Sequence, residues 1–391
     1  MRSRLFISTL ALVAVISVAP ASAVLSPESI PAAFEELLRQ PSLSNPAMIL
    51  IDGTTGEVVY EKNAYSQRKP ASVMKIFAAA AAIKYLDMDS RFVTKISLGI
   101  TEKTLVIQGS YDPWISLDHR VARKMHRESL PYLAFNALTA IKKSNHGSLK
   151  NISVLYSGLY SQDVANLKSF WAKRGFKPSM KPTPAEEILL NEAEFVIGDE
   201  SPKASEILDY TLLWSENNLA ERLARLSARA AGNSFNDAGV AQTFEALLVE
   251  FGVDPSKLVV KDASGLSKEN RITASMLGKL MFELRKDPRY GLLYDSLPVA
   301  GVSGTLRSRF LTTAPGAVGL IRAKTGTLNG TVTLAGYVQS TDREYIFVTL
   351  ADDISRGSKS TAKARSAIDR LLGRIAAPNI PTEISEAPVT P

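Results

Sequence analysis

Ser72 and Lys75, three positions apart, are the first residues of the chain whose types could do chemistry together. Positions i and i+3 share one face of a helix, so the lysine could take the serine proton if burial or neighbouring positive charge lowered its pKa. A serine in the first turn would also lie near free backbone N–H groups, which suit a developing oxyanion. Taken alone, such a pair is more often the polar face at the start of an ordinary helix.

Two further groups of polar residues follow downstream. Ser215, Glu216 and Asn217 stand just before an amphipathic helical pattern, where a serine alone indicates an N-cap. Residues 324–326 read Lys-Thr-Gly between two apolar runs. A strand edge there would offer a substrate carboxylate a cation and a hydroxyl, and the glycine would let the substrate approach the backbone. By itself, the same pattern is a strand that ends in a turn.

The elements that must position these residues come from both ends of the chain. Residues 47–64 predict a hairpin, and residues 320–326, 331–340 and 345–353 predict three strands. One helical pattern follows the first motif, Ser72 and Lys75. Another extends from Leu190 through the second motif, residues 215–217, and a final helix is predicted over 362–375. We therefore predict an α+β architecture, with an antiparallel sheet from both chain ends, a helical cluster and an inserted middle segment.

The middle segment, residues 115–182, is basic. It carries twelve Lys or Arg against three Asp or Glu, a local charge of +9, whereas the whole chain of 391 residues has a formal charge of +7. All three histidines lie in it. Such a patch could contact an anionic polymer such as cell wall, although a solvated face is the commoner explanation. The proline-rich stretch 177–187 at its end predicts a connector.

The N-terminus predicts export. Arg2 and Arg4 precede an apolar run over residues 5–18, and Ala-Ser-Ala at 21–23 is a cleavage site, so we expect a signal peptide cleaved near Ala23. An uncleaved membrane anchor is the alternative, disfavoured by the short apolar run. The chain has no cysteine, which excludes disulfides and a cysteine nucleophile. No motif for binding nucleic acid is present, and none is expected in an exported protein.

The three motifs in the order S-x-x-K, S-x-N and K-T-G resemble the signature of penicillin-binding proteins and serine β-lactamases. The segments "DASGLSKENRITA", "SLPVAGVSGTLRSRF" and "AKTGTLNGTVTLAGYV" are similar to the class C, low-molecular-mass penicillin-binding proteins. These form the D-alanyl-D-alanine carboxypeptidase/endopeptidase family. "SPKASEILDYTLLWSENNLAERL" and "LVIQGSYDP" look like further parts of that family, and the resemblance covers residues 47–113 and 201–375.

The resemblance implies a penicillin-binding-protein/β-lactamase-like transpeptidase fold, with an antiparallel sheet flanked by helices and an all-helical subdomain. The 143 positions between Ser72 and Ser215 imply a reduced inserted segment, because the family usually has a longer one. The predicted layout is a signal peptide (1–23), a split D,D-peptidase domain (24–114 and 183–375), the basic insert (115–182) and a proline-rich disordered tail (376–391).

By the same resemblance, Ser72 is the acylated nucleophile and Lys75 is the base that activates it, which requires a neutral Lys75 in the resting enzyme. Ser215 relays a proton between Lys75 or Lys324 and the leaving group. Lys324 supports the polar network. The backbone N–H groups of Ser72 and Thr327 form the oxyanion hole.

The substrate-binding residues implied are Asn217, which hydrogen-bonds a peptide carbonyl, and Thr325, which helps to hold the terminal carboxylate, beside Gly326. Two positions depart from the family pattern. Glu216 stands where an aspartate is common, between the two contact residues, so we expect little effect. Ser303 stands where an acidic residue is frequent.

The function implied is that of a serine-type D-Ala-D-Ala carboxypeptidase, and with a larger leaving group a D,D-endopeptidase, acting on peptidoglycan stem peptides. β-Lactam antibiotics would be acylating inhibitors. The residues of the three motifs supply a nucleophile, a base and an oxyanion site, so neither a metal nor an organic cofactor is needed.

Three alternatives remain open at this point. A serine β-lactamase would need a glutamate that activates water, and Glu269 lies in a plausible loop but lacks the flanking pattern. A non-catalytic wall-binding homologue would use the basic insert, although every catalytic position is intact. A Ser-His-Asp hydrolase would have to use His119, His126 or His146, and the chain has no G-x-S-x-G elbow.

Overall fold

The computed structural model describes residues 25–39 and 41–377, whose strands form two five-stranded sheets. The strands of these residues are β1 (Ala47–Asp52), β2 (Val58–Lys62), β3 (Arg91–Gly99), β4 (Thr104–Gly109), β5 (Ser153–Ser157), β6 (Ser179–Pro182), β7 (Glu192–Lys203), β8 (Ile321–Leu328), β9 (Thr331–Gln339) and β10 (Glu344–Ala351). The α-helices are α1 (Ile30–Leu38), α2 (Lys75–Tyr85), α3 (His119–Met125), α4 (Leu130–Ser144), α5 (Ser161–Ala172), α6 (Ala185–Leu190), α7 (Ala204–Trp214), α8 (Asn217–Ala230), α9 (Asp237–Glu250), α10 (Ala274–Lys286), α11 (Gly291–Asp295) and α12 (Ser358–Gly373).

The first sheet is antiparallel, with the strand order β2-β1-β10-β9-β8. Ala47 of β1 pairs with Leu350 of β10, so the two ends of the sequence meet in one sheet, as predicted. Both faces are covered. Ile49 and neighbouring residues pack in a core with α2 and α10, and Leu50 and Phe347 pack in a second core with α1 and α12. This agrees with the predicted sheet flanked by helices.

The second sheet is mixed, with the order β6-β5-β4-β3-β7. β3 pairs antiparallel with β4 and β7, whereas β5 is parallel to both β4 and β6. It runs from Arg91 to Lys203, between the first and second motifs. The sheet therefore extends beyond residues 115–182 at both ends and joins the basic segment to the strands that flank it.

Two stretches of the second sheet differ from the sequence prediction. Residues 177–187 were predicted as a connector, but they contain β6 and the start of α6. The segment after Leu190 was predicted as helix, but it forms β7. β7 has one buried residue, Ser201, and its other residues are exposed or half-buried in short runs, so it lacks the strict alternation of apolar and polar residues that predicts a strand. Its partner β3 lies about a hundred positions earlier, and this pairing decides the structure.

α2 is the central helix of the helical cluster, and it confirms the predicted buried apolar helix. Eight of its eleven residues are buried. Five consecutive alanines, residues 78–82, leave room for α7, α8 and α9 to pack closely around it. Phe77 adds a stacked contact with Phe244 of α9, with ring centroids 5.8 Å apart. The helix that follows Ser72 is thus fixed on several sides.

A buried ion pair attaches the second sheet's helices to the helical cluster. Arg222 of α8 donates to the Asp163 carboxylate of α5 and to the backbone carbonyl of Asp112. Its guanidinium also lies over the Tyr160 ring, 4.4 Å from the centroid. A buried charge is costly unless it is paired. The pair therefore fixes the inserted unit, which we define as the second sheet and its helices over residues 91–203, against α8.

Two predictions fall outside the described residues, namely the signal peptide of residues 1–23 and residues 378–391 of the tail. Within the described residues, no helix combines the length and the apolar character needed to cross a membrane.

Candidate active site

Ser72 and Lys75 lie where a short 3-10 helix, Ala71–Met74, meets α2. Val73 and Met74 are fully buried and anchor the turn, whereas Ser72 is partly exposed. The Lys75 Nζ lies 3.1 Å from the Ser72 Oγ, within hydrogen-bond distance. The predicted nucleophile and base are therefore in contact, and the hydroxyl is open to a ligand.

The Lys75 ammonium group reaches three acceptors. Besides Ser72, it donates to the Asn217 Oδ1 at 2.8 Å and to the Ser264 backbone carbonyl at 2.6 Å. Three acceptors match the three N–H donors of an ammonium group, so the side chain is held in one position. The structure thus brings together the first motif, the second motif and a loop that belongs to none of the three motifs.

Lys75 is fully buried, and burial lowers its pKa to about 8. The carboxylates of Glu221, Glu216 and Asp262 act in the opposite direction and limit the shift. At pH 7 the ammonium form therefore predominates, and the neutral amine becomes the main form above pH 8. The neutral Lys75 expected from the sequence is thus the form present in alkaline solution.

The second motif occupies the junction between α7 and α8. Ser215 has a left-handed backbone, with φ of 60°, and ends α7. Glu216, not Ser215, is the N-cap of α8, since its carboxylate accepts from the Leu219 N–H at 2.7 Å. The left-handed turn starts α8 at Asn217, which faces Lys75. Ser215 is half-buried beside this pair and hydrogen-bonds neither Ser72 nor Lys75 among the described residues.

Lys324, from the third motif, is also fully buried. Its Nζ donates to the backbone carbonyl of Thr325 at 3.0 Å. Burial, and to a lesser extent the positive charge of Lys75, hold the Lys324 pKa well below its ordinary value. Lys324 is therefore not an exposed cation, and burial favours the neutral form of its amine.

The backbone of β8 has one open side, because β8 is the edge strand of its sheet. Ala323 N–H donates across that side to the Pro298 carbonyl at 2.9 Å. Alternate residues of a strand direct their N–H groups the same way, so Thr325 and Thr327 direct theirs to the open side as well. A backbone N–H there is the kind of donor that an oxyanion hole requires.

The side chains of β8 alternate between the two faces of the sheet. Ala323 lies in the core formed with α12, which places Thr325 and Thr327 on the α12 side. Lys324 and Gly326 lie on the opposite side, toward α2 and the first motif. The Lys324 side chain and the hydroxyls of Thr325 and Thr327 therefore lie on different faces of the sheet.

Each threonine hydroxyl of β8 has a side-chain hydrogen-bond partner. Thr325 Oγ1 donates to the Thr305 Oγ1 at 2.8 Å. Thr327 Oγ1 accepts from the Arg365 guanidinium of α12 at 2.9 Å. Thr327 is exposed and Thr325 is half-buried, so both hydroxyls border the open edge of the strand.

Gly326 allows β8 to approach the nucleophile. A Cβ atom at this position would lie 2.9 Å from the Ser72 backbone nitrogen and 2.1 Å from the Thr333 Oγ1. Both distances are too short for a carbon atom, so a larger residue would push the strand away. The glycine predicted to admit a substrate thus admits the backbone of Ser72 itself, next to the strand residue Thr327.

A loop of residues 262–270, outside the three motifs, completes the site. The Asp262 carboxylate accepts from the Gly265 N–H at 2.6 Å and the Leu266 N–H at 3.0 Å, which folds the loop tightly. Glu221 accepts from the Ser264 N–H at 2.8 Å, which aims the Ser264 carbonyl at Lys75. The segment "DASG" was noticed only as a family resemblance, because a backbone carbonyl leaves no sequence signal.

The residues required by a serine β-lactamase or a Ser-His-Asp hydrolase make no hydrogen bond to Ser72 or Lys75 among the described residues. Glu269 is exposed on the 262–270 loop. The His119 Nδ1 lies 2.9 Å from the Ser129 Oγ, but that hydroxyl also caps α4. His126 and His146 lie on the inserted unit, at positions of positive φ. Among the described residues, no group of three or more His, Asp or Glu could hold a metal ion.

The sequence matches one family model and several carboxypeptidases. A family model described as "D-Ala-D-Ala carboxypeptidase 3 (S13) family" matches residues 30–144 and 150–375. The chain is 29% identical over 377 residues to the carboxypeptidase DacB of Mycolicibacterium smegmatis, covering 84% of this chain and 81% of that protein. It is 38% identical over 162 residues to a D-alanyl-D-alanine carboxypeptidase of an Actinomadura species, covering 40% and 30% respectively.

Solved structures share the fold. Penicillin-binding protein 4 (dacB) of Haemophilus influenzae aligns with a TM-score of 0.66 at 16% identity, covering 86% of this chain and 97% of that one. The predatory endopeptidase Bd0816 of Bdellovibrio bacteriovorus aligns with a TM-score of 0.57 at 18% identity, covering 86% and 95%. The fold predicted from the three motifs is therefore confirmed.

Proposed function

Because the chain belongs to the D-Ala-D-Ala carboxypeptidase 3 (S13) family, we propose that it is a serine-type D-Ala-D-Ala carboxypeptidase acting on peptidoglycan stem peptides. Membership confirms the family resemblance of the three motifs. The observation that carries the proposal is the hydrogen bond between a partly exposed Ser72 and a buried Lys75 of lowered pKa. A hydroxyl beside such an amine is an activated nucleophile.

The proposed reaction begins when the Ser72 Oγ attacks the carbonyl of the penultimate D-alanine and gives its proton to the neutral Lys75. The peptide C–N bond then breaks, and the leaving D-alanine nitrogen takes up the proton that Lys75 had accepted, delivered through Ser215 either directly or by way of Lys324. The product is an ester between the shortened peptide and Ser72. Water hydrolyses that ester, releases the peptide and restores the serine hydroxyl.

The oxyanion formed in this attack would be held by the backbone N–H groups of Ser72 and Thr327. The N–H direction along β8 and the close approach of Gly326 to the Ser72 nitrogen support this assignment. Asn217, which orients Lys75, would also donate its amide N–H to the substrate's peptide carbonyl. Thr325 would donate to the substrate's terminal carboxylate, and the buried Lys324 would support the polar network of the proton-transfer groups.

A fluorescent penicillin tests this proposal. Penicillin carries a strained amide that the same serine would open, so wild type should form a stable covalent adduct. Ser72→Ala should form none, whereas the control Ser148→Ala, an exposed serine on the inserted unit, should label like wild type. An unlabelled wild type would contradict the proposal. Rapid turnover of the penicillin would favour the β-lactamase alternative.

Endopeptidase cleavage is the same acyl transfer with a larger amine as leaving group. The partly exposed Ser72 and the open edge of β8 would leave room for such a group. Product analysis on monomeric and cross-linked muropeptides separates the two activities. Release of D-alanine alone indicates a carboxypeptidase, and conversion of dimers into monomers indicates an endopeptidase.

We also propose that the protein is exported, with cleavage near Ala23, and that the basic insert makes weak contacts with an anionic wall polymer. The +9 charge of residues 115–182 supports the second part. N-terminal sequencing of the exported protein tests the first. Co-sedimentation with purified wall polymer at rising salt tests the second, because contacts between exposed charges weaken with ionic strength.

A further inference from the structure

A cation from outside the three motifs reaches the strand that carries the third motif. Arg365 of α12 donates from its Nη2 to the Thr327 Oγ1 at 2.9 Å. Both residues are exposed, so a ligand at the edge of β8 can reach the guanidinium as well as the hydroxyl. Neither the motifs nor the family resemblance pointed to Arg365.

The lysines of the site cannot supply a positive charge at this place. Lys324 is fully buried on the other face of β8, and its pKa lies well below the ordinary value. Lys75 is fully buried and its N–H groups are directed to protein acceptors. Lys69 is directed to the carbonyl and carboxylate of Asp352. The anionic end of a peptide substrate would therefore meet no exposed charge from these three lysines.

Arg365 is presented by a fixed part of α12. Arg309 donates to the backbone carbonyl of Arg365 and to the carboxylate of Asp369, one turn further along the helix. Thr313 donates to the same carboxylate at 3.1 Å. Asp369 is almost fully buried, so this turn of α12 is anchored while the guanidinium of Arg365 projects to the surface.

From this arrangement we infer that Arg365 is a specificity-determining residue that binds the C-terminal carboxylate of the substrate. The inference rests on the proposed function. A carboxylate between the hydroxyls of Thr325 and Thr327 would also accept from the guanidinium, whose planar N–H donors match carboxylate oxygens. The ligand class is a D-amino acid with a free carboxylate, and the ring carboxylate of a penicillin is of the same class.

Two activated thioester substrates test this role. They share an acyl-D-alanyl group and differ only in whether the thiol leaving group ends in a carboxylate or in a carboxamide. Attack by Ser72 breaks the carbon–sulfur bond and releases the thiol, which is measured directly. In wild type, the carboxylate substrate should have the higher kcat/KM. Arg365→Gln should lower that value by about 10- to 100-fold, the usual effect of losing a charged hydrogen bond.

The carboxamide substrate is the internal control. Its kcat/KM should change less than about threefold in Arg365→Gln, because a neutral leaving group gains little from a cation. Arg365→Lys should restore part of the carboxylate preference. Lys363→Gln removes one charge from another face of the same helix, where Lys363 is exposed, and should leave the preference intact.

Two results would overturn the inference. Equal losses for both substrates in Arg365→Gln would mean that Arg365 only ties α12 to β8, and an unchanged preference would mean that it does not meet the carboxylate. Failure of the proposed function is distinguishable, because wild type would then release no thiol and bind no penicillin. Thermal unfolding of each variant separates a local effect from a loss of fold.

Discussion

Lys75 and Asn217 stand 142 positions apart in the sequence, yet the lysine Nζ donates to the asparagine Oδ1 at 2.8 Å. The contact joins the first turn of α2 to the first residue of α8. The position of the candidate base therefore depends on how these two helices pack. It also places an uncharged amide beside the Lys75 amine. A carboxylate at the same position would favour the ammonium form and raise the pKa of Lys75.

The activity of the wild-type protein should rise with pH. Lys75 can take the Ser72 proton only as the neutral amine, and burial lowers its pKa to about 8. The neutral fraction grows as pH increases through that value, so the acylation rate should increase from pH 6 and level off above pH 9. Acylation by benzylpenicillin, whose carboxylate stays ionised throughout, is the measurement. A rate independent of pH over this range would exclude Lys75 as the base.

Asn217→Asp should move this pH profile upward. A carboxylate in contact with Lys75 favours the ammonium form, so the midpoint should rise by about 1 unit or more. Asn218→Asp is a matched control, since it adds the same charge to the exposed neighbouring position of α8. Its midpoint should stay close to that of wild type. Identical midpoints for all three proteins would show that the Lys75–Asn217 contact does not govern the titration.

Gly265→Ala should destabilise the protein and slow acylation. Gly265 has φ of +82°, and a Cβ atom there would lie 1.8 Å from the Ala71 carbonyl oxygen. Gly232 has nearly the same φ, +81°, with nothing within 4 Å of its Cβ position. Gly232→Ala should therefore lower the free energy of unfolding by ~1–2 kcal/mol, the cost of a left-handed backbone alone.

Urea unfolding should show a further loss of ~1–3 kcal/mol in Gly265→Ala, which is the typical cost of overpacking. The difference between the two variants isolates the contact of the 262–270 loop with the turn that carries Ser72. Equal stabilities would mean that the loop moves aside freely.

Arg222→Met should destabilise the protein by ~3–5 kcal/mol, because it leaves Asp163 buried without its charged partner. The double variant Arg222→Met/Asp163→Leu should recover much of this loss, since apolar residues of similar volume can replace a buried pair. Arg225→Met is the control. Its partner Asp237 is 58% exposed, and the change should cost no more than ~1 kcal/mol.

Chemical denaturation of the four proteins provides the comparison. Penicillin acylation adds a functional readout, because Arg222 lies in the helix that begins at Asn217. A stable Arg222→Met variant would show that the inserted unit is held by other contacts.

Much of the first sheet and of the helical cluster was predictable because the signals are local. α2 follows from an apolar run, and β1, β9 and β10 from apolar strands between turn residues. β7 was missed because exposed and half-buried residues do not alternate along it and its strand conformation depends on pairing with β3. Tertiary pairing of this kind carries no periodic pattern in the sequence.

The site was predictable in its residue types but not in its electrostatics. The motifs predicted Ser72 and Lys75 as neighbours, and their 3.1 Å contact agrees. The Ser264 carbonyl, which orients Lys75, is a backbone group. Any residue would supply it, so the residue type at this position does not reveal the contact. The burial that lowers the Lys75 pKa depends on helices brought together from distant parts of the chain.

The order of strands in the first sheet also determines when activity can arise during biosynthesis. β10 lies between β1, near the start of the chain, and β9, so the strand made last joins the two halves. A nascent chain that has not reached Glu344 already contains Ser72 and Lys324, but nothing in the sheet links the hairpin before Ser72 to β8. Pairings this distant form slowly. We therefore expect peptidase activity to arise only after β10 has been synthesised and has paired with β1 and β9.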